Sequence, residues 1–498
     1  MDAWLDGLKT AFVFKHLLIL CIGSVLGITA GAVPGVNGTM AIALAIPVTY
    51  TMGPVAAMFL LISLYCSSVM SGSISAILFR IPGAPEAAAT VMDGHAMVKK
   101  GLAGEALGWS ISASVFGGIF GSIVLCLVAP QLARVALEFG PPEYFALAFM
   151  GLSVVSSLGG QKSVVKALIS ALIGLFIACI GIDKISGAAR FTFNLTPLLG
   201  GIDFVPTIIG LFAVSEVLSR LKERQYEDAS QNIRASANLP GWRAMFRLKW
   251  LLLRSSIIGT IIGILPGVGA TTASFVGLSE SVRWSKHPER YGTGIPEGIA
   301  APESANNAAA PGAMVPLLTL GIPGSAATAL MIGAMLIHGI KPGPLMFMTD
   351  ANLIYAIFVG MFLANIMIIF FAKVFIRYFS RVIELPYAIL CPAIVIFCIV
   401  GVFAIRNNFG DIWIMLFFGV MGYFMEKYSY PLAPLILGVV LGPIAEESLR
   451  QAFIMDYNIA VLFSSKLSAV LMILGILSVF SPLIRKLFAK NSKKEAAA

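Results

Sequence analysis

Charge is what this 498-residue chain has least of: Asp, Glu, Lys and Arg together make up 12% of it, against about 25% in a soluble domain. Hydrophobic residues reach 58% and the mean hydropathy is +0.91, so soluble globular, disordered and collagen-like chains are excluded. Histidine is scarce as well, with only His16, His95, His287 and His338. No H-E-x-x-H and no G-x-G-D occurs, which leaves an intramembrane enzyme without its usual groups. No G-x-x-x-x-G-K-[ST] occurs either; the GGQKS at 159–163 lacks the glycine before its lysine, so ATP hydrolysis has no phosphate-binding loop. The six cysteines (Cys21, Cys66, Cys126, Cys179, Cys391, Cys398) sit inside apolar runs with no C-x-x-C pair. They read as small buried hydrophobes rather than as disulfides or metal ligands. No polar stretch is long enough for a separate soluble domain, the longest running over about 219–250.

The net charge of +9 raises a nucleic-acid reading that the positions of the charges remove. Eight of the 34 Lys and Arg lie in 220–254 and five more in 485–494. Basic clusters beside apolar spans mark the cytoplasmic side of a membrane protein. The first segment, MDAWLDGLKTAFVFKH, is acidic as well as basic and no A-x-A-like site follows its apolar run closely, so it is expected to be retained rather than cleaved.

What remains is a chain with length for about ten to fourteen spans at roughly 20 residues each. Apolar runs fall before and after the basic stretch, and several are too short to cross alone. The chain repeats itself. GITAGAVPGVNGTMA (27–41) matches GTIIGILPGVGATTA (259–273) at an offset of 232, and SAILFRIPGAPEAAA around Pro82 matches PLLTLGIPGSAATAL around Pro323 at an offset of 241. The nine-residue difference falls in the polar segment SKHPERYGTGIPEGIAAPESANN, read as an extra loop of the second half. A weaker third match pairs FGPPEYFALAFMG with IELPYAILCPAIV. Paired interrupted helices at corresponding positions of two halves point to a transporter's binding site near the bilayer midplane. Whether the halves are parallel or inverted is open from the sequence.

Breaking a helix exposes backbone N–H groups and a partial positive charge, which suits a carboxylate without a buried Arg. The candidates for holding a small polyanion are Gly35, Asn37, Gly38 and Thr39 after Pro34, and Gly267, Gly269, Thr271 and Thr272 after Pro266. Pro82, Gly83, Gly324 and Ser325 belong to the second break of each half, where they are expected to form opposing hairpin tips. Arg80 ends a long apolar run and faces three readings: pairing with a substrate carboxylate, snorkelling, or meeting Glu86. Asn37, Thr271, Glu303, Asn306 and Asn307 supply oxygens suited to a coupling cation, with loop solvation the competing reading for Glu303. Sodium on amide, hydroxyl and backbone oxygens is favoured over a proton relay, and Glu303 keeps H⁺ in play. No catalytic residue and no cofactor is expected.

The segments PGVNGTMAIALAIP, SGSISAILFRIPGAP, ERYGTGIPEGIAAPESANNAAAPGAMVPLLTLGIPG and HGIKPGP resemble the large membrane subunit of tripartite tricarboxylate transporters, over nearly the whole chain. The resemblance implies a bacterial inner-membrane, multi-pass importer of citrate-like carboxylates, coupled to Na⁺ or H⁺. It also implies two partners, a small integral membrane subunit and a periplasmic solute-binding protein. The family pattern commonly has Asn where this chain has Arg80, which makes Arg80 a candidate specificity residue. The expected architecture is all-α, with repeats at 1–219 and 250–485, a basic cytoplasmic linker at 220–249 and a basic tail at 486–498. The alternative function is a carboxylate channel or exporter working without a binding protein.

Overall fold

The structure is a computed structural model, and it describes every residue except 1, 34–36, 159–163, 184, 223–236, 383–386 and 479–498. It is helical almost throughout. The first half runs α1 (Asp2–Ala11), α2 (Phe14–Ala32), α3 (Gly38–Thr49), α4 (Pro54–Phe79), a 3₁₀ segment (Pro85–Thr90), α5 (Val91–Lys99), α6 (Ala103–Ala136), α7 (Pro141–Leu158) and α8 (Val164–Ala178). A two-stranded hairpin follows, β1 (Gly181–Ile182) antiparallel to β2 (Ala189–Arg190). The half closes with α9 (Thr196–Leu199), α10 (Phe204–Ile209), a π turn and α11 (Ser215–Lys222). The second half runs α12 (Trp242–Arg247), α13 (Lys249–Ile264), α14 (Gly269–Trp284), α15 (Glu297–Leu320), α16 (Ala326–Ile337), α17 (Met346–Thr349), α18 (Ala351–Val382), α19 (Tyr387–Arg406), α20 (Phe409–Lys427) and α21 (Leu432–Met455). A last helix, Lys466–Ser478, packs its Gly475 on Phe149 of α7.

Among the described residues six helices are long and apolar enough to cross a membrane alone, and shorter apolar helices such as Gly38–Thr49, Val164–Ala178 and Ala326–Ile337 fill in between them. The short ones are the pieces that the chain breaks create. None of the six cysteines is joined in a disulfide.

Lipid supplies no hydrophobic drive between helices, so small residues that admit close approach decide which helices pair. Gly23, Gly27 and Gly31 form one stripe of α2 and lie against Leu60, Leu64 and Ser68 of α4; a Cβ at any of them would strike α4. In the second half Gly259 and Gly263 of α13 lie in the same way against Ala305 and Ala309 of α15. The halves are joined crosswise: Gly117 and Gly121 of α6 seat on Ser304 and Ala308 of α15, and Gly360 of α18 seats on Phe59 of α4.

These contacts settle the sense of the repeat. Tyr65 on α4 meets Ser325 just beyond the C-terminus of α15, at 3.1 Å, whereas Ser73, two turns further along α4, meets Glu303 near the N-terminal end of α15. The two equivalent helices are therefore antiparallel, and the halves are inverted. The periphery agrees. Ala171 and Ala178 of α8 pack beside Gly438 and Gly442 of α21, so α8 and α21 run together. Gly210 and Ser215 pack beside Gly419 and Gly422, so α20 runs with α10–α11. Each half thus lends its last helix to the other.

One polar cluster lies at the end of the molecule that carries the hairpin. Arg190 holds Glu446 through both guanidinium nitrogens (2.6 and 3.2 Å), and Arg450 reaches Asp183 at 2.7 Å. The Ser186 hydroxyl, and then Arg450, hold the Asp183 carboxyl well below the usual carboxylate range. At the other end Lys166 donates to the Tyr428 carbonyl and Ser219 to Glu426 at 3.4 Å. The basic stretch begins there, although 223–236 and the tail 485–494 lie outside the described residues.

Two predictions follow the geometry. In a cysteine-free background, a membrane-impermeant thiol reagent applied to intact cells is expected to label Phe193→Cys and not Tyr428→Cys, because the basic stretch keeps the Tyr428 end inside; the reverse pattern would refute this orientation. A carboxyl with a depressed folded pKa stabilises above its unfolded value of about 3.9 and loses that contribution as pH falls. Asp183→Asn should therefore lower the melting temperature at neutral pH and flatten its decline below about pH 4.

Candidate functional site

The inverted repeat brings the chain breaks of both halves to the middle of the molecule. Gly38, at the start of α3, lies against Ser68 of α4, and Ser325, at the start of α16, bonds to Tyr65 one turn away on the same helix. The mirror arrangement stands on α15, where the Asn306 amide reaches the Glu86 carbonyl of the 3₁₀ segment at 3.4 Å. Tyr65 and Asn306 are themselves equivalents, separated by the repeat offset of 241. Each lies midway along its helix and touches the segment after the second break of the opposite half.

The second break of each half folds back on its own half. In the second half the Gly267 N–H donates to the Gly324 carbonyl at 3.0 Å, and Gly324 rests on Gly263 and Ala313. In the first half Gly83 donates to the Gly72 carbonyl at 3.1 Å and rests on the Gly31 carbonyl. Each I-P-G return packs on its own half, Gly83 on the end of α2 and Gly324 on the end of α13. Both returns begin with a left-handed residue, Arg80 (φ 62°) and Gly321 (φ 70°). Arg80 holds a conformation that costs a side-chain-bearing residue free energy. It is exposed, and it is not among the ion pairs of the described residues, so of its three readings the meeting with Glu86 is not made.

The helix starts differ in how their amides are satisfied. Asn37 caps α3, its side chain accepting from Met40 N at 2.8 Å, and Thr39 is half-buried on the first turn. Ser325 and Thr328 cap α16 reciprocally. At α14 the residue before the helix is Val268, which offers no side-chain cap. Around it the chain uses Gly267 (φ 72°) and Gly269 (φ 70°), and Thr271 and Thr272 are half-buried on the first turn. Gly35 lies outside the described residues.

The segment read as an extra loop is a loop only up to Pro296. From Glu297 it is helix α15, and Glu303, Asn306 and Asn307 are 0%, 0% and 1% exposed. Loop solvation of Glu303 is overturned. Its carboxylate accepts hydroxyl hydrogen bonds from Ser73 of α4, Thr90 of the 3₁₀ segment at 2.5 Å and Ser114 of α6 at 2.9 Å. All three donors come from the first half. Asn306 and Asn307 are bonded to each other at 2.7 Å. Asn37 and Thr271 make no hydrogen bond to Glu303, so the five expected cation ligands divide into a trio on α15 and two residues at separate helix starts.

Sequence reasoning passed over Tyr65, Ser73, Thr90, Ser114 and Asp93. The run SLYCSSVMSGSIS on α4 carried a signal, since so many hydroxyls in an apolar stretch need partners. Asp93 anchors the true extra loop: its carboxylate accepts from the amides of Gly292, Gly294 and Ile295 at 2.8–3.1 Å.

Against known proteins, the model of a family described as the tripartite tricarboxylate transporter TctA family matches residues 17–437. A protein of Agrobacterium vitis, described as an uncharacterized 52.8 kDa protein in the TAR-I ttuC' 3' region, is 37% identical over 489 residues, 98% of this chain and 97% of its own. An uncharacterized protein of the TAR-II ttuC' 3' region in the same organism is 38% identical over 236 residues, 47% of this chain and 98% of its own.

The turn at Gly267 tests the site's construction. A β-branched side chain at φ near +70° costs about 1–3 kcal/mol, so Gly267→Val is expected to lower the thermal stability of the purified protein. Gly53→Ala, with ordinary φ and open space around it, should leave stability unchanged. Equal melting temperatures for both variants would show that the Gly267–Gly324 turn carries no constraint.

Proposed function

The chain belongs to the tripartite tricarboxylate transporter TctA family, and from that premise we propose that it imports small di- or tricarboxylates of the citrate type by secondary, cation-coupled transport. Membership and the apolar helices make it a multi-pass membrane transport component. In the proposed assembly it is the large membrane subunit in a bacterial inner membrane. It receives substrate from a periplasmic solute-binding protein and works beside a small integral membrane subunit.

The observation that carries the reading is the convergence of chain breaks from two inverted repeats on the middle of α4 and α15, the place where such folds bind their substrates. The start of α14 is the best anion site among them. Its amides have no side-chain cap, its glycines admit a carboxylate to the backbone, and the Thr271 and Thr272 hydroxyls add donors. The Asn37 and Ser325 caps already occupy one first-turn amide each of α3 and α16, so these residues meet substrate through their remaining polar atoms. Arg80, exposed at the neighbouring return, is the proposed specificity residue.

Coupling follows from the charge carried. Moving an anion into a negative interior costs about 2.3 kcal/mol per charge per 100 mV, so a trivalent substrate needs more than three accompanying cations, or fewer if partly protonated. The sequence holds no G-x-x-x-x-G-K-[ST] loop, and a coupled cation is the proposed source of the work.

The test is uptake of labelled citrate by cells producing the chain with its two proposed partners. Accumulation that collapses when the sodium and proton gradients are dissipated is the expected result. Equilibration without any gradient would favour a channel, uptake undiminished without the binding protein would remove that dependence, and conversion of the carboxylate by detergent-solubilised protein would point to an enzyme.

A further inference from the structure

We propose that Glu303 and Asn307 on α15 form a sodium site, a deepening that rests on the transport reading for its purpose but not for its chemistry. Glu303 is fully buried and belongs to none of the ion pairs among the described residues. Three neutral hydroxyls, on Ser73, Thr90 and Ser114, donate to it, and the neutral Asn306 amide lies against it as well. An ionised carboxylate has about four lone-pair positions. The groups that meet them here bring dipoles but no charge. A buried carboxylate without a compensating charge is among the most unfavourable arrangements in a protein interior.

One turn further, at i+4 and so on the same face of the helix, a second oxygen stands without a partner. The Asn307 amide nitrogen donates to the Glu303 carbonyl at 3.1 Å and to the Asn306 side-chain oxygen at 2.7 Å. Those two bonds fix which way the amide points, because the reversed amide would set oxygen against oxygen. The Asn307 Oδ1 is thereby buried with no hydrogen-bond donor.

Both deficits have one sign, oxygen lacking a positive partner, and one cation answers both. A proton would neutralise Glu303 and leave Asn307 Oδ1 as it is, so a metal cation fits better. Among the described residues no cluster of three His, Cys, Asp or Glu gathers here, and a single carboxylate matches a single positive charge. Hard cations take carboxylate, amide and hydroxyl oxygens of this kind. The pseudo-symmetric positions on α4 are Ile62 and Cys66, so the pair of helices does not need these polar groups in order to pack.

Equilibrium binding of labelled sodium to the purified full chain, with choline as the balancing salt and no carboxylate present, tests the site. Saturable binding is expected, weakened about tenfold or more in Glu303→Gln through loss of the charged ligand, and weakened to a lesser degree in Asn307→Ala. Asn307→Ala keeps the test open should Glu303→Gln fail to fold, as judged by gel filtration. Absence of saturable sodium binding to the wild type would overturn the site, as would unchanged binding in both variants. Sodium binding without any carboxylate uptake would instead overturn the transport reading and leave the site standing. Uptake driven by a pH gradient alone, with no sodium binding, would replace sodium by a proton at Glu303.

Discussion

An interrupted helix within an apolar layer leaves amides and carbonyls that lipid cannot satisfy, and the core of this fold is arranged to satisfy them with protein. The Gly267 amide finds the Gly324 carbonyl, and Gly83 finds Gly72. The first bond forms only with the two breaks of the second half side by side, and the second ties the return to its own helix α4. Both positions rely on the glycine stripes of α2 and α13 seating against α4 and α15. Packing by small residues and satisfaction of the breaks are therefore one requirement. It explains why helices of 12 residues such as α3 and α16 persist where a soluble protein would bury longer ones.

Around that shared frame the two halves have diverged in polarity. Tyr65 and Asn306 hold equivalent places and make equivalent reaches into the opposite half, and Ser63 and Ser304 are equivalent hydroxyls bonded back to their own helices. The departures are concentrated on one side. Glu303 faces Ile62 across the repeat, Asn307 faces Cys66, and Gly321 faces Arg80. A repeat used only for packing has no need of such differences. The anion-friendly start of α14 and the buried carboxylate both belong to the second half, while the donors around that carboxylate belong to the first.

The repeat, the all-α class and the place of the breaks were legible in the sequence because they rest on Pro-Gly spacing and apolar run length, which are local properties. The sense of the repeat was not, since antiparallel and parallel halves share one pattern and differ only in which residues touch. The start of α15 was misread for a physical reason. Pro302, Pro311 and Pro316 lie inside it, each removing a helix amide, and PEGIAAPESANN is polar enough to resemble a loop. The tight seating of α6 and α13 on its Ala and Ser faces keeps it helical and turns its polar residues inward. Glu303 was found by residue type, but its three partners are 189 to 230 positions away in sequence, beyond any spacing argument.

That separation in sequence also bears on which parts of the molecule can move. The donors to Glu303 stand on α4, the 3₁₀ segment and α6, and its own helix is α15. Withdrawing any of them would leave a buried carboxylate short of a hydrogen bond worth about 1.5–3 kcal/mol. The Asp93 clamp on 292–295 adds a second tie between α5 and the approach to α15. These elements are thus bound into one unit by polar bonds with strict geometry. The contacts of α7 with α21 and the last helix are of another kind, two small clusters built on Leu, Ile, Val, Met and Ala side chains. Apolar surfaces tolerate sliding because burial is nearly independent of register. The unit held by polar bonds therefore meets this set through apolar contacts alone in these clusters, with Ile322 of the second return packed among the α7 and α21 side chains.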